Sequence, residues 1–246
     1  MKSTADAPFT YSGRDNLVAM REAQRYNAFL ADLVTRHAPA GGKWLDFGAG
    51  AGQFAVPLKQ AGHHVVAVEV DAVLAQGIRS HGIPTFTSLD DVDDSSVDFI
   101  YTLNVLEHIS DDGVALRQLH RKLRPGGTLL VYVPAFQLLY SSMDTLVGHQ
   151  RRYSSATLRQ VVQQAGFDAG RAVYADSVGF FASLLYKSLP GRDGTITPGS
   201  VALYDRWIFP VSHALDSVVS RWLGKNVYLV AHKPAHSTLS GTTSGS

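Results

Sequence analysis

Between residues 43 and 134 five short apolar runs alternate with stretches that carry helical signals. KWLDF (43–47) precedes GQFAVPLKQAG (52–62), and HHVVAVEV (63–70) precedes AVLAQGIRSHG (72–82). PTFTS (84–88) is a weak third run. VDFIYTL (97–103) leads into a helical pattern from about Val105 to Leu123, and PGG (125–127) turns the chain into TLLVYVP (128–134). Strands this apolar must be covered on both faces, and strand–helix alternation supplies that cover through a mainly parallel sheet. SSATLRQVVQQAG (154–166) reads as a helix with a Ser cap and a Gly stop. The run from Gly170 to Ser177 and NVYLVAHK (226–233) complete a sheet of seven strands, the last expected to run antiparallel.

The flanks fit one α/β unit with additions. Leu17, Met20, Ala23, Phe29 and Leu33 lie at helical spacing and predict a helix over 14–38, stopped by Pro39 and Gly41-Gly42. The expected division is an N-terminal arm and helix (1–38), a ligand-binding core (39–178), a helical cap insertion (179–224), a final strand (225–233) and a small, polar, disordered tail (234–246). With 246 residues the chain is long enough to bury a full core.

Composition removes several function classes. The absence of Cys excludes disulfides, a thiolate nucleophile and Cys-ligated zinc. A net charge of +1 gives no global reason to expect a nucleic-acid partner. MKSTADAPFT lacks the apolar core of a signal peptide, and no apolar run is long enough for a transmembrane segment. These features fit a cytoplasmic protein.

The first strand–helix junction carries the clearest chemistry. WLDFGAGAGQF places Gly48, Gly50 and Gly52 after strand one and before a helix, where glycine lets the backbone turn tightly and approach a ligand closely. Glu69 ends strand two and is placed to accept the two hydroxyls of a ribose. The plain alternative is a tight turn with an exposed Glu. A dinucleotide fingerprint would need glycine at position 53, which is Gln53. The run is instead D-x-G-x-G-x-G.

This run resembles motif I of the class I S-adenosylmethionine-dependent methyltransferases, and the LRPGG turn (123–127) is a second match. LNVLEHISDDGVAL, LRPGGTLLVYVPA, LYSSMDTLVGHQRRYSS and AQRYN are similar to a bacterial branch of small-molecule methyltransferases related to the ubiquinone-pathway O-methyltransferases. The resemblance implies a Rossmann-like sheet and S-adenosyl-L-methionine as cofactor. It implies that Asp46 precedes the glycines, that Glu69 holds the ribose, and that Tyr26 closes over the cofactor. Leu89 and Asp90, at the tip of strand three, fall to the adenine. Ala49, Val70, Asn104 and Val105 join the cofactor contacts.

Asn104, Glu107 and His108 stand at the end of strand four at spacing i, i+3, i+4, which on a helix puts them on one face. Three readings stay open. Glu107 and His108 are packing groups with local partners; or His108 is a general base; or the segment is a divalent-metal site. The last follows from the E-x-x-E-H segment of the related enzymes, whose matching positions are Asn104, Glu107, His108 and His149. Asn104 departs from that pattern by replacing a carboxylate with an amide, which weakens a hard-cation site.

The stretch after strand five reads as a loop holding Tyr140, Asp144, His149, Arg151, Arg152 and Tyr153. His149 is a second candidate base or ligand. Tyr140, Arg151, Arg152 and Tyr153 are candidate substrate contacts, with internal pairing of the arginines to Asp144 or Glu107 as the alternative. The remaining His residues have no partner at ligand spacing. In the cap, aromatic residues from Phe180 to Trp222 fit core packing, a substrate lid or a homodimer face. A shallow membrane contact is the remaining alternative, and it is disfavoured because basic residues do not line one face of this segment.

The expected reaction is methyl transfer to an oxygen of a small molecule. The rivals are N-methylation, a nicotinamide-dependent oxidoreductase and a non-catalytic cofactor-binding module.

Overall fold

The computed structural model describes residues 19–188 and 197–235. Residues 1–18, which hold the expected arm and the start of the N-terminal helix, residues 189–196 of the expected cap, and residues 236–246 of the expected 234–246 tail lie outside the described residues.

Five strands run parallel: β1 (Lys43–Phe47), β2 (His64–Val68), β3 (Thr85–Phe86), β4 (Val97–Leu103) and β5 (Leu123–Pro134). Three more, β6 (Asp168–Ala169), β7 (Val173–Ala175) and β8 (Asn226–His232), complete the sheet in the order β3-β2-β1-β4-β5-β8-β6, with β7 also on β8. β8 is antiparallel to β5, β6 and β7. Eight strands replace the expected seven because the segment from 168 to 175 is split. At the split, the Gly170 amide donates to the Val230 carbonyl at 3.0 Å, and a Cβ on Gly170 would sit 2.8 Å from that oxygen.

Alternate residues on each strand enter opposite cores, as the two-residue period of a strand requires. Leu45, Val66, Ile100, Leu129 and Val131 pack beneath Leu116 and Leu119 of α4 (Asp112–Lys122) and Leu158 and Val162 of α6 (Ser155–Gln164). Trp44, Val65, Phe99, Tyr101 and Leu130 pack on the other face against α1 (Gln24–His37), α2 (Ala55–Gln60) and α3 (Ala72–Ser80). Chain order reverses between β1 and β4, which opens a crevice beyond their carboxyl ends.

Three local expectations change. The N-terminal helix is interrupted at Arg21–Ala23 before α1. The helix expected from Val105 is a single 3-10 turn, Leu106–His108; the chain then extends at Ile109 and restarts at α4, where the Asp111 carboxylate accepts the Val114 amide. Asn104 has a left-handed backbone (φ 56°), so 104, 107 and 108 do not share a regular helix face. The loop after β5 contains a 3-10 turn (Gln137–Leu139) and α5 (Ser142–Val147), started by a capping box between Ser141 and Asp144.

The cap consists of α7 (Ser177–Ser188), α8 (Pro198–Leu203) and α9 (Phe209–Val219). Proline inside a helical pattern is expected to kink or break it, but Pro210 does not break the second helical stretch of the cap. It lies in the first turn of α9, where its missing N–H is harmless, after a π-helical segment (Tyr204–Ile208) that joins α8 to α9.

Candidate active site

The glycine loop folds over the end of β2. The Glu69 carboxylate accepts the Gly50 amide at 2.7 Å through Oε2 and the Asp71 amide at 2.9 Å through Oε1. Asp71 in turn caps α3 by accepting the Val73 and Leu74 amides. Gly48 is left-handed (φ +80°), and a Cβ there would collide with the Val105 side chain. Only glycine therefore fits between β1 and the turn after β4. Gly52 is also left-handed, beside Ile78 and Val56. Ala49 is buried while Val70 is exposed at the crevice.

Asp46 lies under this loop, nearly inaccessible, with Oδ2 unpartnered. Burial pushes its carboxyl up to about 7, against the opposing effect of the Tyr101 hydroxyl. Tyr26 is half-buried on α1, with its ring edge-on to Tyr132 (6.3 Å) and Phe209 of α9 (5.5 Å). Burial pushes its hydroxyl up to about 12, beside the side chains of Tyr132 and Asn104. Leu89 is in the core and Asp90 is exposed, in a 3-10 turn started by the Ser88 hydroxyl.

The second half of the site forms where the turn after β4 meets the segment after β5. The Gln150 amide donates to the Glu107 carbonyl at 2.8 Å, its side chain to the His108 carbonyl at 3.1 Å, and Arg151 to the Ser110 carbonyl at 2.7 Å. These bonds bring Glu107, His108 and His149 together, each with a donor atom within 4.8 Å of the others. The His108 and His149 rings stand edge to face, centroids 4.6 Å apart. Phe136, just past β5, is left-handed (φ 59°), an uncommon state for a bulky residue and a local strain at the site.

Each group is held differently. His149 Nδ1 lies 2.7 Å from Asp144 Oδ1, and its Nε2 lies 3.8 Å from Glu107 Oε1. Burial alone would raise Asp144, but the bonds to His149 and Arg152 hold its carboxyl down at about 2. Glu107 is fully buried, and among the described residues no other residue donates a hydrogen bond to either oxygen. That burial pushes it up to about 8. His108 is pushed down to about 4, by burial first and then by its neighbour His149, so its ring is neutral at pH 7.

The proposed substrate contacts turn inward. Arg152 forms a two-pronged bridge to Asp144, at 2.8 and 3.0 Å. Arg151 pairs with Asp112 at 3.0 Å. The buried Tyr153 hydroxyl donates to Asp112 at 2.7 Å, and Tyr140 donates to the His149 carbonyl at 2.6 Å. Internal pairing of the arginines is thus the arrangement present, because burial next to Asp144 and Asp112 demands neutralisation. Asp144 is the residue sequence reasoning underused. Its signal was the Ser141-x-x-Asp144 capping pattern.

A methyltransferase domain profile matches residues 20–170. The chain belongs to the methyltransferase domain family. A probable S-adenosylmethionine-dependent methyltransferase of Mycolicibacterium smegmatis is 27% identical to it over 168 residues, 64% of this chain and 62% of that protein. A ubiquinone biosynthesis O-methyltransferase of Xylella fastidiosa is 26% identical over 136 residues, 51% of this chain and 55% of that one. The chain thus spans less than two thirds of either relative. Among solved structures, one from Thermotoga maritima described as a possible histamine N-methyltransferase superposes with a TM-score of 0.62 at 18% identity, over 90% of this chain and 98% of that chain. At that identity the likeness speaks for the fold.

S-adenosylmethionine is the cofactor of this class I methyltransferase family. The crevice fits it: Glu69 presents a carboxylate at the tip of β2, and the Gly48–Val105 contact leaves no space for a side chain at the turn.

Proposed function

We propose that this methyltransferase-family chain methylates an oxygen of a small-molecule acceptor, with His149 receiving the acceptor's proton. The Asp144–His149 pair, on the segment bonded to the turn after β4 whose Val105 lies against Gly48, carries this reading. Bound S-adenosylmethionine supplies an electrophilic methyl group, so the protein's task is alignment and proton removal. Glu69, the glycine loop and Tyr26 orient the cofactor; Leu89, Asp90 and Val70 flank its base end. The bond from Nδ1–H to Asp144 selects the tautomer whose Nε2 carries the lone pair, on the side of Glu107 and 3.8 Å from its Oε1. A hydroxyl proton passes to Nε2, and the resulting imidazolium stays paired with the Asp144 carboxylate. The oxygen distinction leans on the ubiquinone-pathway relative, and no feature of the site favours nitrogen.

A second reading has its own support. The buried, unpartnered Glu107 carboxylate beside two imidazoles fits a divalent cation. Glu107, His108 and His149 would hold it, and the cation would lower the pKa of the acceptor hydroxyl. Asn104 stands apart from this set, beside Tyr26.

Calorimetric titration with S-adenosylhomocysteine and NADH, followed by release of S-adenosylhomocysteine from S-adenosylmethionine with a panel of phenols, hydroxy acids and sugars, tests the proposal. S-adenosylhomocysteine binding that falls at least about tenfold in Glu69→Ala, together with turnover lost in His149→Ala, is the expected pattern. NADH binding without S-adenosylhomocysteine binding sinks it.

A further inference from the structure

Along the rod formed by α8, the π segment and α9, two faces differ sharply. Asp205, Phe209, Ser212 and Asp216 turn inward. Asp205 accepts the Arg25 and Tyr26 amides, Ser212 donates to Asp176, and Asp216 accepts the Asp176 and Ser177 amides. The outer face carries Leu203, Trp207, Val211, Leu215, Val218 and Trp222, each between 47% and 68% exposed. The five helical members, spaced three and four residues apart, draw one apolar stripe roughly 22 Å long at the helical rise of 1.5 Å per residue, and Trp222 continues it in the turn just past α9.

The charges around the stripe decide what can cover it. In the linear sequence Asp205 and Asp216 offset Arg206 and Arg221, and the region reads as neutral. The fold takes both carboxylates inward to cap helices. Among the described residues, the outward charges of the rod and of the turn that follows it are Arg206 and Arg221. Each sits over an indole: Arg206 lies 5.2 Å from the Trp207 ring and Arg221 3.7 Å from the Trp222 ring. Arg25 joins the first end by donating to the Arg206 carbonyl. A self-complementary dimer face would set these cations against one another or against apolar surface. A stripe of Leu, Val and Trp flanked by arginine is the pattern of a helix lying in the headgroup region of an anionic bilayer. No described helix is long and apolar enough to cross a membrane, so the contact is peripheral.

We infer that the outer face of the α8–α9 rod docks the protein on anionic phospholipid membranes. The inner face of the same rod touches Tyr26 and Phe29 through Phe209. Docking therefore places the lid of the crevice close to the bilayer. Membrane docking is independent of the chemistry proposed above.

Tryptophan fluorescence reads the contact directly. Of three tryptophans, Trp44 is buried, and Trp207 and Trp222 are on the stripe. Titration with phosphatidylcholine vesicles containing 30 mol% phosphatidylglycerol, a composition of about one anionic lipid in three chosen for its surface potential, should shift emission to shorter wavelength. Pure phosphatidylcholine vesicles should give a much smaller shift. Arg206→Glu/Arg221→Glu should lower the partition coefficient at least about tenfold, and Val211→Glu/Leu215→Glu should abolish the shift. All four side chains are exposed, and circular dichroism checks that the variants stay folded. No partitioning into the anionic vesicles at low salt overturns the inference. So does partitioning that both double variants leave unchanged. A dimer in sedimentation that Val211→Glu/Leu215→Glu splits, with no vesicle binding, assigns the face to self-association instead.

Discussion

Asp144 accepts the Nδ1 proton of His149 at 2.7 Å and so fixes which ring nitrogen faces Glu107. Arg152 completes the arrangement by bridging both oxygens of the same carboxylate. The pair spans only five residues, across the C-terminal end of a six-residue helix whose first turn Asp144 itself caps. One carboxylate thus starts the helix, neutralises a buried guanidinium and orients an imidazole.

The first prediction tests that orientation. Asp144→Asn should lower turnover about a hundredfold, the low end of what a positioned base contributes, with less than about a twofold change in S-adenosylhomocysteine affinity. The same variant loses the Arg152 bridge and should also unfold at a lower temperature. His149→Gln leaves that bridge intact and should show the rate loss at nearly wild-type melting temperature. Turnover in His149→Gln equal to wild type removes His149 from the chemistry.

Glu107 makes stability depend on pH. Its ordinary value is 4.5, and burial raises it to about 8 in the folded protein. Between those values folded Glu107 binds its proton more tightly than the unfolded chain does, so its contribution to stability falls as pH rises through that window. His108, lowered from 6.5 to about 4, acts oppositely below pH 6.5, so the net decline is read above that pH. Asp46, raised from 3.8 to about 7, acts in the same direction as Glu107. Asp144, held down at about 2, acts oppositely and only below pH 3.8. Glu107→Gln should flatten the decline, raising the melting temperature at pH 8 by several degrees and leaving pH 5 nearly unchanged. Equal shifts at both pH values argue against a titrating Glu107.

A cation would reverse that penalty by keeping Glu107 ionised beside the two rings. Adding magnesium, manganese or zinc to chelator-treated protein should raise the melting temperature for at least one ion, through binding to the folded state alone. The shift should vanish in Glu107→Gln and His108→Ala. Loss of turnover on chelation and recovery with the same ion would place the ion in the reaction. No thermal shift with any of the three ions leaves His149 as an unassisted base.

Legibility in the sequence followed the range of each interaction. Gly48, Gly50, Gly52 and Glu69 were readable because a strand–turn–helix signal is local, and Glu69 reaches back only 19 residues to Gly50. The β1–β5 alternation was readable because apolar runs and their turn residues carry the period. The helix expected at Val105 failed for a physical reason. Apolar spacing continued, but the left-handed Asn104 and the extended Ile109 isolate a single turn, and Asp111 supplies a fresh cap. The arginine roles were undecidable in the sequence because their partners are set by packing: Asp112 lies 39 residues before Arg151 in the chain yet 3.0 Å away. The inward turn of Asp205 and Asp216 is set by their long-range partners, the Arg25 and Tyr26 amides and the Asp176 and Ser177 amides, and so is not legible in the local sequence.

The longest of these reaches gives the last prediction. The N-cap position of α1 is Ala23, which has no side chain able to cap a helix. Its second and third amides, Arg25 and Tyr26, donate instead to the two oxygens of Asp205, at 2.9 and 2.8 Å, from a residue about 180 positions away. Asp205 therefore does for α1 what an N-cap residue does, and ties the cap to the helix that carries Tyr26. Asp205→Ala should cost about 1 kcal/mol, within the range of a lost N-cap, and should weaken S-adenosylhomocysteine binding because the Tyr26 backbone is no longer held. Combining it with Ala23→Ser supplies a local cap. The double variant should regain most of the melting temperature but not the affinity, since a serine at the helix start replaces the capping bond without restoring the tie between cap and lid. Recovery of both in the double variant would show that Asp205 serves helix stability alone.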